Sequence, residues 1–172
     1  MAANLPNNFT MLTITIIGQK NTGKTSFITE FVPWLRRQGY TVGTIKHTPH
    51  PHALDVEGKD SYRHRKSGAA RSALITPEGA AVFQESTDKE QTTEFVLSQF
   101  SDVDILVVEG NLGLGGPKFE IFNYNTEGRT PYAAQDRSII AVISLHDLKL
   151  SCPIVSPNDF ETVLNIAREP IL

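Results

Sequence analysis

One glycine-rich stretch anchors the interpretation of this sequence: Gly18-Gln19-Lys20-Asn21-Thr22-Gly23-Lys24-Thr25. Four residues separate its two glycines, and Gly-Lys-Thr completes the pattern of a phosphate-binding loop. Glycine lets the backbone curl so that successive N–H groups point at phosphate oxygens, and a following helix adds its positive end. We expect Lys24 to reach the β- and γ-phosphates and the Thr25 hydroxyl to ligate a magnesium ion. The stretch therefore predicts a nucleotide-binding site.

The residues on both sides of this loop match the interpretation. A β-rich apolar run precedes it, Leu12-Thr13-Ile14-Thr15-Ile16-Ile17, and predicts a buried strand. Apolar residues then recur at helical spacing: Phe27, Ile28, Phe31 and Leu35. They predict a helix from about Gly23 that covers a sheet. Pro33 lies inside this helix and predicts a kink or an early end, because proline lacks the backbone N–H.

Strands and helices alternate along the rest of the chain. Strands are predicted at 40–46, 72–75, 80–83, 104–110, 118–122, 138–143 and 153–155, and helices at 60–67, 89–100 and 160–168. Consecutive apolar residues in 104–110 indicate a strand buried on both faces of a parallel sheet, and Thr76-Pro77-Glu78-Gly79 predicts a hairpin turn. The predicted fold class is α/β: a P-loop NTPase, three-layer α/β/α with a mostly parallel sheet and a β-hairpin extension. We expect a flexible tail, 1–10, and a single nucleotide-binding domain, 11–172.

Composition and charge argue against several classes of function. The 172 residues are 40% hydrophobic and 20% charged, as in an ordinary globular protein, and the net charge of −3 argues against nucleic-acid or anionic-membrane binding. The N-terminal residues lack the basic start and apolar core of a signal peptide, and no run is long enough to span a bilayer. The sequence therefore predicts a cytoplasmic protein. Its single cysteine, Cys152, excludes an intramolecular disulfide.

Two acids lie at or just beyond the carboxyl ends of predicted strands. Glu109 would lie beside the phosphate loop and hold magnesium through water or orient an attacking water. Asp147 is a candidate for base contact, with a solvated loop acid as the alternative. The Asn-Lys-x-Asp motif of guanine-specific switches is absent, so the residues alone leave the base open.

Four segments occur together in one order: the phosphate loop, Lys46-His47, Gly58-Lys59-Asp60-Ser61-Tyr62, and Val107-Val108-Glu109-Gly110 with Pro117-Lys118. In this order they resemble the MobB-type adaptor proteins of molybdopterin-guanine dinucleotide (molybdenum cofactor) biosynthesis. The resemblance covers roughly residues 12–122, and Gly-Lys-Asp-Ser-Tyr is its most specific part.

The resemblance implies GTP and Mg²⁺ as cofactors, weak intrinsic GTPase activity at most, and a homodimer. It also implies partnership with a MobA-type guanylyltransferase, which joins GMP to molybdopterin, and with molybdopterin-bearing partners. By position it implies catalytic roles for Lys24, Glu109 and Asp60, and metal ligation by Thr25, Glu109 and Asp60. The implied nucleotide-binding residues are Gly18, Gln19, Lys20, Asn21, Thr22, Gly23, Lys24, Thr25, Ser26, Lys46, His47, Ser61, Arg63, Gly110, Lys118 and Asp147. Arg63, Arg65 and Lys66 are candidates to neutralise phosphate or an anionic pterin.

The chain departs from the family pattern at two places. Asn111-Leu112 replaces the usual Phe-Lys after Glu-Gly, and Asn123-Tyr124 replaces a basic residue near the end of the next strand. Gln19 also stands where some dimeric relatives have a lysine, so hydrolysis stimulated by a partner's lysine is not supported.

Two other functions stay open from the residues. A nickel or zinc metallochaperone GTPase would use four histidines: His47, His50, His52 and His64. A small-molecule P-loop kinase would use Asp60 as the catalytic acid of an acceptor site and Arg63 and Arg65 as the arginines of a lid.

Overall fold

The computed structural model describes residues 11–85 and 88–170. They fall into two compact units: residues 11–48 with 100–170, and residues 49–85 with 88–99. The predicted tail, residues 1–10, lies outside the described residues, and the single-domain organisation stays a prediction.

The elements follow the alternation expected from the sequence. In chain order they are β1 (Leu12–Ile17), α1 (Lys24–Arg37), β2 (Val42–Lys46), α2 (Asp60–Lys66), β3 (Arg71–Thr76), β4 (Gly79–Gln84), α3 (Lys89–Ser98), β5 (Ile105–Glu109), β6 (Lys118–Ile121), a 3₁₀ helix (Tyr132–Ala134), β7 (Ile139–Ile143), β8 (Ile154–Val155) and α4 (Phe160–Arg168). Only the 3₁₀ helix was not predicted. Within the described part of the chain, no helix is both long and apolar enough to cross a bilayer.

The first unit contains a six-stranded sheet in the order β2-β5-β1-β6-β7-β8, and every neighbouring pair is parallel. β1 and β5 are adjacent in this sheet. The four apolar residues of β5 are buried on both faces, which is why that strand reads as an apolar run, whereas the buried apolar residues of β1, Ile14 and Ile16, share one face. Ile16 and Lys46 both lie opposite Glu109 in the ladder, so the carboxyl ends of β1, β2 and β5 meet at one edge. With the separate β3–β4 hairpin, this confirms the predicted α/β fold class.

Helices α1 and α4 cover one face of this sheet. Four aromatic rings, Phe27, Phe31, Trp34 and Phe160, join the two helices, with neighbouring centroids 5.2 to 6.1 Å apart. Full burial of one such side chain stabilises a fold by roughly 1.5–3 kcal/mol. Helix α1 continues past Pro33 to Arg37, so the early end allowed for in the sequence does not occur. We attribute this to its buried face, which offsets the one lost backbone bond.

Beside β6 and β7, the opposite face of the sheet is covered by irregular structure. Phe122, Ile139 and Val142 pack there against Ala133 of the 3₁₀ helix, with Leu148 and Leu150 of the β7–β8 loop at the margin. Glu120 of β6 is fully buried on this face, and its carboxylate accepts the backbone N–H groups of the first two residues of the 3₁₀ helix.

The second unit is built on the β3–β4 hairpin. Its register pairs Ala73 with Val82 and Ile75 with Ala80. Helix α2 packs on β3, and the Arg71 guanidinium lies 4.6 Å from the centre of the Phe95 ring of α3. Asp88 caps α3 by accepting the Gln91 N–H at 3.0 Å.

Candidate functional site: a phosphate-binding loop

The loop between β1 and α1 has a backbone that few side chains permit. Gly18 and Gly23 have φ values of 147° and 103°, and Asn21 is left-handed at 64°. A Cβ on Gly18 would lie 2.5 Å from the Ile121 carbonyl oxygen, and one on Gly23 would meet the Tyr124 ring. The two motif glycines are therefore required by conformation and by space.

Every backbone carbonyl of residues 18–23 accepts a hydrogen bond from within the first unit. Lys24 Nζ donates to Gly18 O at 2.9 Å and to Gln19 O at 2.6 Å; Thr22 Oγ1 donates to Gln19 O, Arg129 Nη1 to Lys20 O and Asn125 Nδ2 to Asn21 O, each at 3.0 Å; Tyr124 N donates to Thr22 O at 3.3 Å and Phe27 N to Gly23 O at 2.9 Å. By contrast, the backbone N–H groups of residues 19–22 donate to no acceptor among the described residues. The loop therefore has satisfied carbonyls and available N–H donors, which is the arrangement of an anion-binding nest.

Lys24 is held in this loop before any ligand arrives. Two of its three ammonium protons are directed to carbonyl oxygens, so one remains for a phosphate oxygen. Burial lowers the pKa of Lys24, and the negative charge of Glu109 opposes that shift. A bound phosphate would add a second opposing charge. Ser26, in the first turn of α1, is exposed beside it.

Glu109 lies at the other side of the site. Both of its carboxylate oxygens are 3.3 Å from Thr25 Oγ1, and Oε1 is 3.2 Å from Lys46 Nζ. Its backbone carbonyl accepts the His47 N–H at 2.8 Å, and Gly110 next to it has a φ of 97°. The Glu109 side chain is 14% exposed whereas that of Lys46 is 64% exposed, so the lysine is free to move away. A carboxylate beside a hydroxyl is a set of hard oxygen donors that suits Mg²⁺.

Other predicted site residues lie elsewhere. Asp60, Ser61 and Arg63 belong to the second unit: Asp60 begins α2 and is 3.8 Å from Arg63, and Ser61 Oγ donates to Asp55. Lys118 Nζ donates to Ser138 Oγ at 2.8 Å, and Asp147 is exposed after β7. Their roles at the nucleotide stay predictions.

Metal binding by the histidines also stays a prediction. Across residues 11–85 and 88–170, no three or more His, Cys, Asp and Glu side chains form a group placed to hold a metal ion.

A cavity of about 470 Å³ opens beside the first glycine of the loop. Its lining comes from the ends of β1 and β5 and from the segment around the 3₁₀ helix: Ile17, Gly18, Gly110, Asn111, Thr130, Pro131, Tyr132, Gln135 and Asp136. The Ser138 hydroxyl and N–H hold the pKa of Asp136 below its usual range, so this acid stays charged at the cavity wall.

Sequence reasoning missed the residues that hold the loop from outside. Asn125 and Arg129 had no predicted role, and Tyr124 was noted only as part of a departure from the family pattern. Asn125 and Gly128 have φ values of 51° and 66°, and an asparagine and a glycine in one short loop were the available signal of an ordered turn.

Comparison with known proteins identifies one family. The family model of MobB, "Molybdopterin guanine dinucleotide synthesis protein B", matches residues 13–145. The molybdopterin-guanine dinucleotide biosynthesis adapter protein of Escherichia coli is 33% identical over 151 residues, covering 86% of each chain. That of Haemophilus influenzae is 29% identical, covering 90% of this chain and 82% of the relative. The crystal structure of Bacillus subtilis MobB superposes with a TM-score of 0.67 at 23% identity, covering 93% of this chain and all of that one. The chain therefore belongs to the MobB family of molybdopterin guanine dinucleotide synthesis proteins.

Proposed function

We propose that this protein is a GTP-binding adapter in molybdopterin-guanine dinucleotide biosynthesis, with weak intrinsic GTPase activity at most. It would act in the cytoplasm as a homodimer, assisting a MobA-type guanylyltransferase and its molybdopterin-bearing partners. Family membership supports the pathway, since the curated relatives carry the name of adapter protein for that biosynthesis.

The observation that supports nucleotide binding is the hydrogen bonding of the phosphate loop, whose carbonyl groups are bonded while its N–H groups at residues 19–22 have no acceptor among the described residues. Residues 18–23 have all their carbonyls bonded, and the N–H groups of 19–22 stay available. Lys24 adds a cation at the same place. A phosphate chain supplies the negative oxygens that such a set of donors needs.

Each side chain at the site then has a role in the proposal. The loop N–H groups and Lys24 bind the β- and γ-phosphates, and Thr25 and Glu109 hold Mg²⁺ directly or through water. When bound, the ion would neutralise charge between phosphate oxygens. Lys46, now paired with Glu109, would exchange that partner for a phosphate oxygen.

The test is calorimetric binding of GTP, ATP and GDP, each with Mg²⁺, to the wild type, to Lys24→Ala and to Lys149→Ala. We expect GTP to be preferred, and Lys24→Ala to weaken it by at least about tenfold, the loss typical of one buried charge-assisted contact. Lys149→Ala removes the same charge from an exposed loop position and is expected to bind as the wild type does.

Different failures have different meanings. Absence of GTP binding at millimolar concentrations would refute the nucleotide proposal as a whole. A preference for ATP, with transfer to an acceptor other than water, would favour the kinase alternative, which keeps the same loop.

The homodimer proposal points to the β3–β4 hairpin. Its strands present a row of exposed apolar side chains on one face, Ala73, Ile75, Ala80 and Val82. A two-stranded hairpin is marginal alone, and an uncharged apolar face is complementary to itself across a two-fold axis. A second copy of the chain is therefore the occupant we propose for this face.

A further inference from the structure

We propose that residues 124–130, here called the strap, are a positioning element for the nucleotide phosphates, with Asn125 and Arg129 as its positioning residues. The inference rests on the proposed nucleotide site and extends it to side chains whose observed contacts are with the loop backbone.

Three consecutive carbonyls of the phosphate loop are each held by one donor from the strap. Arg129 Nη1 donates to Lys20 O at 3.0 Å and Asn125 Nδ2 to Asn21 O at 3.0 Å. The backbone N–H of Tyr124 donates to Thr22 O at 3.3 Å. A fourth bond runs the other way, from Gln19 Nε2 to Thr130 O at 2.8 Å. Each residue of 19–22 thus has its own bond to the strap.

Because the peptide unit is planar and trans, these contacts with carbonyl oxygens also fix the direction of the N–H groups on the opposite side of the loop. A carbonyl and the N–H of the next residue belong to one rigid unit and point in opposite directions. Holding Lys20 O therefore aims the Asn21 N–H, holding Asn21 O aims that of Thr22, and holding Thr22 O aims that of Gly23. The strap donors pull three carbonyls outward, so three N–H donors face the phosphate side before any ligand binds.

The strap is itself an ordered support. Asn125 and Gly128 are left-handed, and the Arg129 N–H closes a turn on Thr126 O at 3.0 Å. The His146 ring joins Thr126 Oγ1 at 3.2 Å to Asn123 O at 2.9 Å, which ties the start of the strap to the loop after β7. A preorganised nest loses less conformational entropy on binding, so its ligand binds more tightly.

Arg129 and Asn125 are exposed, so their effect on phosphate binding can be measured apart from any effect on the stability of the fold. A hydrogen bond between exposed groups adds little to folding, because water replaces it in the unfolded chain. The same bond affects phosphate binding through the direction of an N–H group. Removing it should change affinity without a matching change in melting temperature.

The variants isolate single bonds. Asn125→Gly keeps a residue that accepts positive φ and removes the side chain that carries the amide donor; Arg129→Gln removes the guanidinium; Arg129→Lys keeps a charged donor. Arg137→Gln is the matched control, an exposed arginine in the same connection between β6 and β7 with no hydrogen bond to the loop in the described structure. The probes are GTP and inorganic pyrophosphate, each with Mg²⁺, measured by calorimetry.

We expect Asn125→Gly and Arg129→Gln each to raise the Kd for both probes roughly five- to tenfold, as the loss of one hydrogen bond does. Arg129→Lys should recover part of that loss, and the melting temperature without ligand should stay within about 2 °C of the wild type. Amide spectra of the ¹⁵N-labelled protein without ligand should show the Asn21, Thr22 and Gly23 signals displaced in the variants and unmoved in Arg137→Gln.

Two results would overturn the inference, in distinguishable ways. Wild type that binds both probes, with strap variants within twofold of Arg137→Gln and loop amides unmoved, would leave the phosphate loop intact and remove the strap's role. Wild type that binds neither probe would refute the proposed nucleotide function first, and the strap's role with it.

Discussion

At the scale of single residues, we predict that Lys46 and Mg²⁺ compete for the carboxylate of Glu109, and this competition can be measured. Thr25 Oγ1 is 3.3 Å from both Glu109 oxygens, and Lys46 Nζ is 3.2 Å from one of them. Glu109→Gln keeps the shape and removes the negative charge that a hard cation prefers. We expect the Mg²⁺ concentration for half-maximal GTP binding to rise about tenfold, while GTP binding without Mg²⁺ is unchanged or tighter because a charge near the phosphates is gone.

The measurement is a Mg²⁺ titration of the protein with a fluorescent GTP analogue. Glu169→Gln, which neutralises an exposed acid after α4, is the control and should titrate as the wild type does. An unchanged Mg²⁺ requirement in Glu109→Gln would show that this carboxylate is not a ligand of the ion.

Residues of the site differ in how well the sequence reveals them. Lys24 and Thr25 are fixed by spacing inside one short motif, and Glu109 by its place at the end of an apolar run. Asn125 and Arg129 contact carbonyls 104 and 109 positions away in the chain, and only the folded sheet brings those positions together. A local pattern carries no information about a partner at that distance.

At the scale of elements, the 3₁₀ helix depends on one buried carboxylate. Both Glu120 oxygens accept backbone N–H groups, from Tyr132 and Ala133, at 2.9 Å each. Burial raises the pKa of Glu120; the two hydrogen bonds oppose this shift, and the charge of Asp136 adds to it. A raised pKa in the folded state favours the neutral acid, so its contribution to stability is fully present below the ordinary value of 4.5 and is lost as the pH rises through the raised value.

The Glu120→Gln side chain cannot titrate, so comparison with this variant isolates the effect of Glu120 protonation on the pH dependence of stability. We expect the free energy of unfolding of the wild type, minus that of Glu120→Gln, to fall as the pH rises above about 4.5. Urea unfolding of both proteins across pH 4 to 7, with the exposed Glu161→Gln as a control for charge, measures it. A difference that grows with pH would mean that the two N–H bonds outweigh burial.

The helices and strands that local sequence patterns indicate were predicted closely, whereas the 3₁₀ helix was not predicted. The Asp159 cap of α4 accepts the Thr162 N–H at 3.1 Å, as its sequence position indicates. The 3₁₀ helix has only three residues, and the acid that fixes its first N–H groups is 12 positions upstream on β6. Neither periodicity nor capping chemistry signals an element held in that way.

At the scale of the whole molecule, the sequence predicts one sheet with a hairpin extension, and in the structure the hairpin belongs to a second compact unit, residues 49–85 with 88–99. The alternation of strands and helices identified the fold class, because parallel strands need helical crossovers. The turn of the hairpin was predicted from Thr76-Pro77-Glu78-Gly79, because proline and glycine favour turn conformations. The exposed apolar face of the hairpin could not be predicted without the strand register. The pairing of Ile75 with Ala80 and of Ala73 with Val82 places these apolar side chains on one side.

That face gives the last prediction, on association. Ile75 is 80% exposed and Val82 is 54% exposed, and burying two such side chains in each copy contributes several kcal/mol to a dimer, at about 25 cal/mol per Å². We expect the wild type to scatter light during size-exclusion chromatography as twice the 19.0 kDa of the chain, and Ile75→Lys/Val82→Lys as a single chain, because lysines facing each other across a two-fold axis repel. Leu145→Lys, which charges an exposed apolar residue outside the hairpin, should stay dimeric. A wild type of one chain mass at 100 µM would refute the homodimer, and a dimeric Ile75→Lys/Val82→Lys would place its interface on another surface.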